Sequence, residues 1–315
     1  MTYIVTTVSG QKIDLGAAYS IQINKSKEAP ADTLFAIFFS QKIHPEYKLI
    51  DVYTSENQLF FSGVVDEQKF EVAENGCFFT IKSRSKAAYL IDNEACAQVY
   101  KRPSLDIIFK RHIKPYGFSS ISGNNSTFNA TMEVDKGMSE WDVLEQFCSS
   151  CLGTFPLVNA DGSIDASGQT ENKKILFSNS GSGINYSYLS QKYNRYKLIS
   201  EITVCEPYSA VYAGKVKDNE LINNGICRKK FITMSEDTSS AKKISVDTAK
   251  QMILDSKKKF NEIVIKCPGA IRSNIGKKCQ ISDSILGNVS NLIVYEIEYT
   301  LNKNGEFTVF TLLEA

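Results

Sequence analysis

The strongest structural signals of the chain lie in residues 59–117, which read LFFSGVVDEQKFEVAENGCFFTIKSRSKAAYLIDNEACAQVYKRPSLDIIFKRHIKPYG. Near the middle of this stretch, Asn75 and Gly76 both tolerate the positive φ that a type I′ turn requires. Apolar side chains alternate with polar ones on both sides of this pair, at Phe70, Val72, Phe79 and Ile81. The pattern predicts a β-hairpin with Asn75-Gly76 at its tip.

A helix is predicted in the same stretch, after the hairpin. Pro103 suits the first turn of a helix, because its φ is already helical and its missing N–H is not needed there. Side chains at helical spacing follow, at Leu105, Ile108, Phe109 and His112. Pro115 and Gly117 then end the pattern.

The whole chain divides into three segments by pattern. Residues 1–92 alternate apolar and polar positions between turn signals, which predicts a β domain. Residues 93–178 contain two helical patterns and short strands, which predicts a small α+β domain inserted at this point. Strands return in residues 179–315, with a third helix at about 245–260 that Ser245 is expected to cap.

The fold class predicted from these segments is α+β and mainly β. A second Asn-Gly pair, Asn304-Gly305, joins two strand patterns near the end of the chain, as Asn75-Gly76 does in the first segment. This weak internal repeat suggests a duplicated β domain. We therefore expect two tube-like antiparallel β-barrels, formed by residues 1–92 and 179–315. The α+β domain would lie between them in sequence, and the third helix would act as a lid.

The composition limits the classes of partner. The chain has 315 residues, enough for two or three domains, and a net charge of +1 from 36 Lys and Arg against 35 Asp and Glu. Such a balance gives no global field that favours nucleic acid or an anionic membrane. Short basic clusters such as Arg228-Lys229-Lys230 are best explained as solvated faces or subunit contacts, with DNA inside a tube as the alternative. Proteins are the expected partners.

Neither a secretory signal nor an apolar run of membrane-spanning length is apparent in the sequence. We therefore expect no membrane anchor, and we expect synthesis and storage in the cytoplasm.

The one close pair of cysteines is Cys148-Ser-Ser-Cys151, within the second helical pattern. Ser139 is expected to begin this helix, with Asp142 as its capping-box partner. Both sulfurs then fall on the face that carries Trp141 and Leu144. A redox or metal role would need a strand-to-helix turn or a second cysteine pair, and the sequence has neither. We therefore expect core side chains here, and free thiols for all eight cysteines.

Candidates for catalysis are few. The chain has two histidines, which limits serine, cysteine and histidine-metal schemes. We expect His112 to be a satisfied, partly buried side chain, and His44 to lie in a loop. Two carboxylate pairs could be nominated for glycosidic chemistry: Glu140 with Glu145, and Asp161 with Asp165. Helix-start charge and turn chemistry explain these four residues adequately. We predict no catalytic, cofactor-binding or metal-binding residues and no cofactor.

The hairpin and helix of residues 59–117, in this order, resemble the baseplate hub proteins of contractile phage tails and phage-tail-like particles, of the Mu type and the late control protein D type. Residues 138–164, MSEWDVLEQFCSSCLGTFPLVNADGSI, are similar to the inserted helix-and-hairpin module of that family. IKCPGAIRSNIGKKCQISD and VYEIEYTLNKNGEFTVFTLLEA are similar to the closing strands of its second barrel. The resemblance covers nearly the whole chain.

The resemblance implies a structural role without enzymatic activity. Three copies would form a ring of six similar barrels that joins the sixfold tail tube to the central spike. The implied partners are two further copies of the chain, the tail tube protein, the spike protein and baseplate wedge or tape-measure proteins. DNA passage through the lumen is also implied for a phage. The protein would be made in the bacterial cytoplasm and then reside in the baseplate of a virion or tail-like particle.

Other readings remain open from the residues alone. The particle could be a phage-tail-like bacteriocin, or the chain could be the hub of a non-contractile tail. A tail-associated cell-wall-active enzyme or an adhesin is the alternative from another functional class.

Overall fold

The fold is known from a computed structural model, which describes residues 1–74, 76–168, 174–207, 212–234 and 239–315, without the side chains of residues 213, 240 and 241. The strands in these ranges are β1 (Thr2–Thr7), β2 (Lys12–Asp14), β3 (Ala18–Ser26), β4 (Thr33–Phe39), β5 (Tyr47–Tyr53), β6 (Leu59–Ala73), β7 (Gly76–Ser85), β8 (Gln98–Lys101), β9 (Ile121–Ser122), β10 (Thr131–Val134), β11 (Leu157–Val158), β12 (Ile164–Asp165), β13 (Ile175–Ser178), β14 (Tyr188–Tyr193), β15 (Glu201–Cys205), β16 (Tyr212–Lys217), β17 (Lys229–Thr233), β18 (Asn261–Pro268), β19 (Lys278–Asp283), β20 (Gly287–Asn302) and β21 (Gly305–Glu314). The α-helices are α1 (Ala88–Ile91), α2 (Leu105–Ile108), α3 (Glu140–Phe147), α4 (Asn219–Asn223) and α5 (Ser239–Lys258).

The chain folds into two compact units. The first unit contains residues 1–174, 266–277 and 294–310, and the second contains residues 175–265, 278–293 and 311–315. Strands β18, β20 and β21 contribute residues to both. None of the helices in the described ranges combines the length and the apolar character needed to cross a bilayer.

The main sheet of the first unit has the strand order β20-β3-β4-β7-β6-β5-β1-β2. Neighbouring strands along this order pair in antiparallel register. One face of this sheet is buried, because alternate residues point to the same side of a strand. Its core includes the fully buried side chains Ile21, Phe38, Ile50, Phe61, Phe79 and Tyr299.

The predicted hairpin is confirmed as β6 and β7, with Phe70 paired to Phe79 and Ala73 paired to Gly76. Asn75 lies outside the described residues. Of the four alternating apolar residues, Phe79 and Ile81 are buried, whereas Val72 near the tip is 76% exposed.

The helix predicted after the hairpin is present, but it is not uniform. Ser104 is the N-cap of α2, and its hydroxyl accepts a hydrogen bond from Ile107 N. Pro103 therefore precedes the cap and does not occupy the first turn as predicted. A π-helical turn, Phe109–Ile113, and a 3-10 turn, Lys114–Tyr116, extend α2 up to Gly117, whose φ is +83°. The left-handed φ of Gly117 ends the helical run.

The capping box predicted for the second helix is confirmed at the start of α3. Ser139 Oγ accepts from Asp142 N, and Asp142 Oδ2 accepts from Ser139 N. The apolar face of α3 packs into a separate core of the first unit, which includes Leu105, Ile108, Trp141, Leu144, Phe147 and Cys148.

In the second unit, β15 forms the centre of a three-stranded sheet with the order β16-β15-β17. Helix α5 covers one face of this sheet, where Ile202, Val204, Ala249 and Ile253 form a buried cluster. The helix already contains Ser245, so the expectation that Ser245 caps it is wrong. Another part of this unit pairs β13 with β19 in parallel and β19 with β20 in antiparallel register.

The mainly β, α+β class predicted from the sequence is confirmed by these elements. The strand orders are open paths, however, and among the described residues no sheet closes on itself. In the first unit the path ends at β2, a three-residue strand that pairs with β1. So short a strand offers few backbone groups for closing the sheet.

Candidate interaction surfaces

Three aromatic rings meet on the outer face of the main sheet in the first unit. The ring of Tyr19 lies 4.7 Å from that of Phe39 and 6.1 Å from that of Phe78, and the Phe39 and Phe78 rings are 5.0 Å apart. Tyr19 is 48% exposed and Phe39 is 57% exposed. We call these three residues the aromatic cluster. Exposed aromatic groups of this kind are typical of protein interaction sites.

The register explains why these rings point outward. Phe39 is paired with Phe78, and their neighbours Phe38 and Phe79 are also paired and buried in the core. Because side chains alternate between the two faces, burying the second pair turns the first toward solvent. The exposure of the cluster therefore follows from the packing of the core beneath it.

Two exposed glutamates lie on the same outer face, on β20. Glu296 is paired with Ser26 and Glu298 with Asn24 of β3. Their hydrogen bonds come from neutral groups: Ser26 donates to Glu296, and Gln22 donates to Glu298 at 3.0 Å. In the described ranges neither carboxylate forms an ion pair with a lysine or arginine. We call Glu296 and Glu298 the acidic face.

A basic face lies on the three-stranded sheet of the second unit, opposite the side that α5 covers. Glu201 in the central strand is paired with Lys217 on one side and Lys229 on the other. Glu201 is 7% exposed, and the ammonium groups of Lys215, Lys217 and Lys229 lie 3.1, 3.7 and 3.7 Å from its carboxylate. The hydrogen bond from Lys215 is the largest cause of the lowered pKa of Glu201.

The lysines of the basic face remain accessible although they contact Glu201. Their side chains are 49%, 48% and 61% exposed in the order Lys215, Lys217 and Lys229. Three positive charges surround one negative charge, so the face carries a net charge of +2. Phe231 stands beside them, paired with Thr203, and its ring lies 6.0 Å from that of Tyr212. Both rings are more than half exposed.

His112 and Glu140 form a buried polar network in the first unit. His112 is 2% exposed, and its Nδ1 lies 2.5 Å from Glu140 Oε2. Tyr100 Oη lies 2.7 Å from His112 Nε2, and Tyr116 donates to Glu140 Oε1 at 3.0 Å. Burial, followed by this bond to Glu140, raises the pKa of Tyr116.

Only half of this network is predicted by the sequence. The prediction of a satisfied His112 is confirmed, but the sequence pattern explained Glu140 by helix-start charge. Glu140 does lie in the first turn of α3, yet it is 7% exposed and bonded to side chains from other elements. The sequence did contain a signal for the burial of Glu140, since this glutamate lies next to Trp141 and close to Val143 and Leu144 in a helix with an apolar face. His112, Glu140 and Tyr100 of this network are buried.

The other nominated carboxylates have local structural roles. Asp161 accepts from the backbone N–H and the hydroxyl of Ser163, and these bonds lower its pKa. Asp165 accepts in the same way from Ser167. Turn chemistry therefore accounts for both, as the sequence predicted. No group of three or more metal-ligating side chains occurs in the part of the chain that the structure describes.

All eight cysteines are free thiols, as predicted. Cys148 is fully buried in the core into which α3 packs, and Cys151 is partly buried against the same core. Burial raises the pKa of Cys148, Cys267 and Cys279 to about 12 in each case. A thiol with such a pKa holds almost no reactive thiolate at neutral pH.

These pKa shifts predict a selective labelling pattern. At pH 8 a maleimide should modify the exposed Cys96 and Cys227 in the folded protein and leave Cys148, Cys267 and Cys279 unmodified. Mass spectrometry of peptides from native and urea-unfolded samples measures this directly. Rapid native labelling of Cys148 would contradict its placement in the core and would reopen a role for the Cys148-Ser-Ser-Cys151 motif.

Comparison with solved structures shows strong likeness over the full chain. A tail protein from Neisseria meningitidis MC58 is 17% identical with a TM-score of 0.78, and the match covers 100% of this chain and 97% of that one. The 43 kDa tail protein of prophage MuSo2 from Shewanella oneidensis is 16% identical with a TM-score of 0.78, covering 99% and 98%. The chain has the fold of phage tail proteins.

The same fold occurs in a secretion machine. The E. coli c3393 protein, a component of the type VI secretion system described as similar to the T4 tail proteins gp27 and gp5, is 6% identical with a TM-score of 0.57. That match covers 95% of this chain and 73% of that one. No protein-family model matches the sequence, and a search of curated proteins also gives no match.

Proposed function

We propose that this protein is a structural baseplate hub, a non-catalytic ring that joins a tail tube to a central spike. The observation that carries the proposal is the likeness to two tail proteins at a TM-score of 0.78, which extends over nearly the whole length of both partners. The exposed aromatic cluster supports a role in assembly, because isolated soluble proteins seldom expose such groups together.

In this proposal three copies form the ring, and each copy supplies two tube-like β domains. Residues 1–92 and 179–315 provide these domains, and residues 93–178 form the inserted α+β domain. Six similar domains in a threefold ring would match a sixfold tube on one side and a trimeric spike on the other. Within the ring, the open sheets of each copy would lie edge to edge around a lumen, with α5 as a lid over its sheet.

The proposed partners follow from the same arrangement. They are two further copies of the chain, the tail tube protein, the spike protein and the wedge or tape-measure proteins, and the lumen would let DNA pass in a genome-carrying particle. Assembly in the bacterial cytoplasm would precede residence in the baseplate of a contractile tail or a phage-tail-like bacteriocin.

Co-expression with the tube and spike proteins encoded by neighbouring genes tests the proposal. We expect the three proteins to co-purify, and we expect electron-microscope class averages to show a threefold ring with six lobes around a lumen. A compact monomer that binds neither partner would contradict the hub. If that monomer also cleared a peptidoglycan suspension, the cell-wall enzyme would become the leading hypothesis.

A further inference from the structure

The acidic and basic faces of the chain carry opposite charges of the same size. The acidic face carries two carboxylates, Glu296 and Glu298, whose hydrogen-bond donors are neutral. The basic face carries a net charge of +2 from three lysines around Glu201. Both faces lie on sheets whose opposite side is a hydrophobic core, so each is held on a rigid support.

Each face also has exposed apolar groups beside its charges. On the acidic side, Gln22, which bonds Glu298, is paired with Phe35, and Phe35 lies on the same strand as Phe39 of the aromatic cluster. On the basic side, Phe231 and Tyr212 stand beside the lysines. Interfaces between proteins commonly combine aromatic contacts with complementary charge.

We propose that the acidic face of one copy docks on the basic face of the next copy. This inference rests on the proposed function, which supplies the ring of copies. Each copy would use two different faces, so the contact is head-to-tail, and such contacts generate rings when the rotation between copies closes. The pairing would set the direction of the ring and exclude like-faced contacts, because like charges brought together repel.

A second copy fits the basic face better than nucleic acid does. Glu201 already neutralises part of the lysine charge, whereas a nucleic-acid footprint is a patch or stripe of clustered Lys and Arg on one face. The acidic face would have no role in binding a polyanion. A second copy accounts for both faces with one contact.

The first test reverses the acidic face. In E296K/E298K both changes are on exposed side chains, so we expect the variant to fold normally. Analytical ultracentrifugation should show at least about a tenfold rise in the concentration needed for half-maximal trimer formation. Added salt should weaken the wild-type trimer and strengthen that of the variant, because screening removes attraction in one and repulsion in the other. E133K/D135K makes the same charge change at exposed positions elsewhere in the first unit and should leave the trimer unchanged.

The second test inverts the basic face and restores complementarity. Replacing the central glutamate and its lysines together retains opposite charges within the face while changing its net charge from +2 to −2: E201K, K215E, K217E and K229E. This quadruple variant alone should trimerise poorly, and its combination with E296K/E298K on one chain should recover trimer formation. If the quadruple variant fails to fold, the opposite salt dependence of E296K/E298K decides the question.

The outcomes separate this inference from the proposed function. A wild-type trimer that E296K/E298K weakens no more than E133K/D135K does would overturn the inference and leave the hub intact. A wild-type protein that stays monomeric even with its tube partner would overturn both. If trimers are unaffected while the quadruple variant loses binding to a DNA oligonucleotide, the occupant of the basic face is nucleic acid and the inference is wrong.

Discussion

Replacing Glu140 with leucine should lower the free energy of unfolding by about 3 kcal/mol, because it leaves a buried donor on His112 and a partly buried donor on Tyr116 without an acceptor. Carboxylate oxygens accept hydrogen bonds, so Nδ1 of His112 is the donor in its contact with Glu140. Without Glu140, this buried N–H and the partly buried hydroxyl of Tyr116 lose their acceptor. Urea unfolding monitored by Trp141 fluorescence would measure the loss, since Trp141 is buried beside Glu140.

Glu145→Leu is the matched control, because Glu145 lies in the same helix and is only partly buried. We expect its effect to stay within about 0.5 kcal/mol. A cycle with His112→Leu tests the coupling. The double variant should be more stable than the sum of the single losses predicts, by about 1 kcal/mol or more, because removing both partners leaves neither His112 nor Glu140 buried without the other. Equal losses for Glu140→Leu and Glu145→Leu would contradict the network.

Replacing Gly63 with alanine should also cost about 3 kcal/mol, because strand β6 has no room for a methyl group at this position. A Cβ on Gly63 would lie 2.4 Å from the carbonyl oxygen of Arg84 and 2.6 Å from Ser83 Oγ. It would also lie 2.7 Å from the ring of Phe61. The first of these atoms is backbone of the neighbouring strand β7, so relief requires the strands to separate where Gly63 pairs with Ser85.

Gly214→Ala is the control for this substitution. Gly214 lies in strand β16 and is paired with Val204, and the nearest atom to an added Cβ is Val246 Cγ2 at an ordinary 3.4 Å. We expect this change to be neutral or to stabilise the protein by about 0.5 kcal/mol, because alanine reduces the entropy of the unfolded chain. Thermal unfolding of the two variants side by side compares them directly. A melting temperature for Gly63→Ala equal to that of the wild type would show that β6 and β7 are spaced differently.

Prediction from the sequence succeeded where the signal is local. The hairpin of β6 and β7, the capping box of Ser139 and Asp142, and the end of the first helical run at Gly117 depend on residues a few positions apart. It was wrong where burial or helix length depends on distant parts of the chain. The burial of Glu140 and the early start of α5 before Ser245 are both of this kind.

The functional surfaces lay beyond local prediction for the same reason. Lys229 was noticed only as part of a short basic cluster, and nothing in its neighbourhood indicates a contact with Glu201. The two residues meet because β15 and β17 pair in parallel, in the register that places Lys229 opposite Glu201. Shifting that register by one residue would turn Lys229 to the face that α5 covers.

By itself, the sequence determined a mainly β chain with a helical insert, because turn residues, caps and alternating apolar positions act over a few residues. It also carried the resemblance to tail hub proteins, which agrees with the fold found by comparison. Only the tertiary structure decided which polar side chains are buried and which charges gather on one face. Those properties depend on strand register and on the core beneath each sheet, and both are set by contacts between residues far apart in the chain.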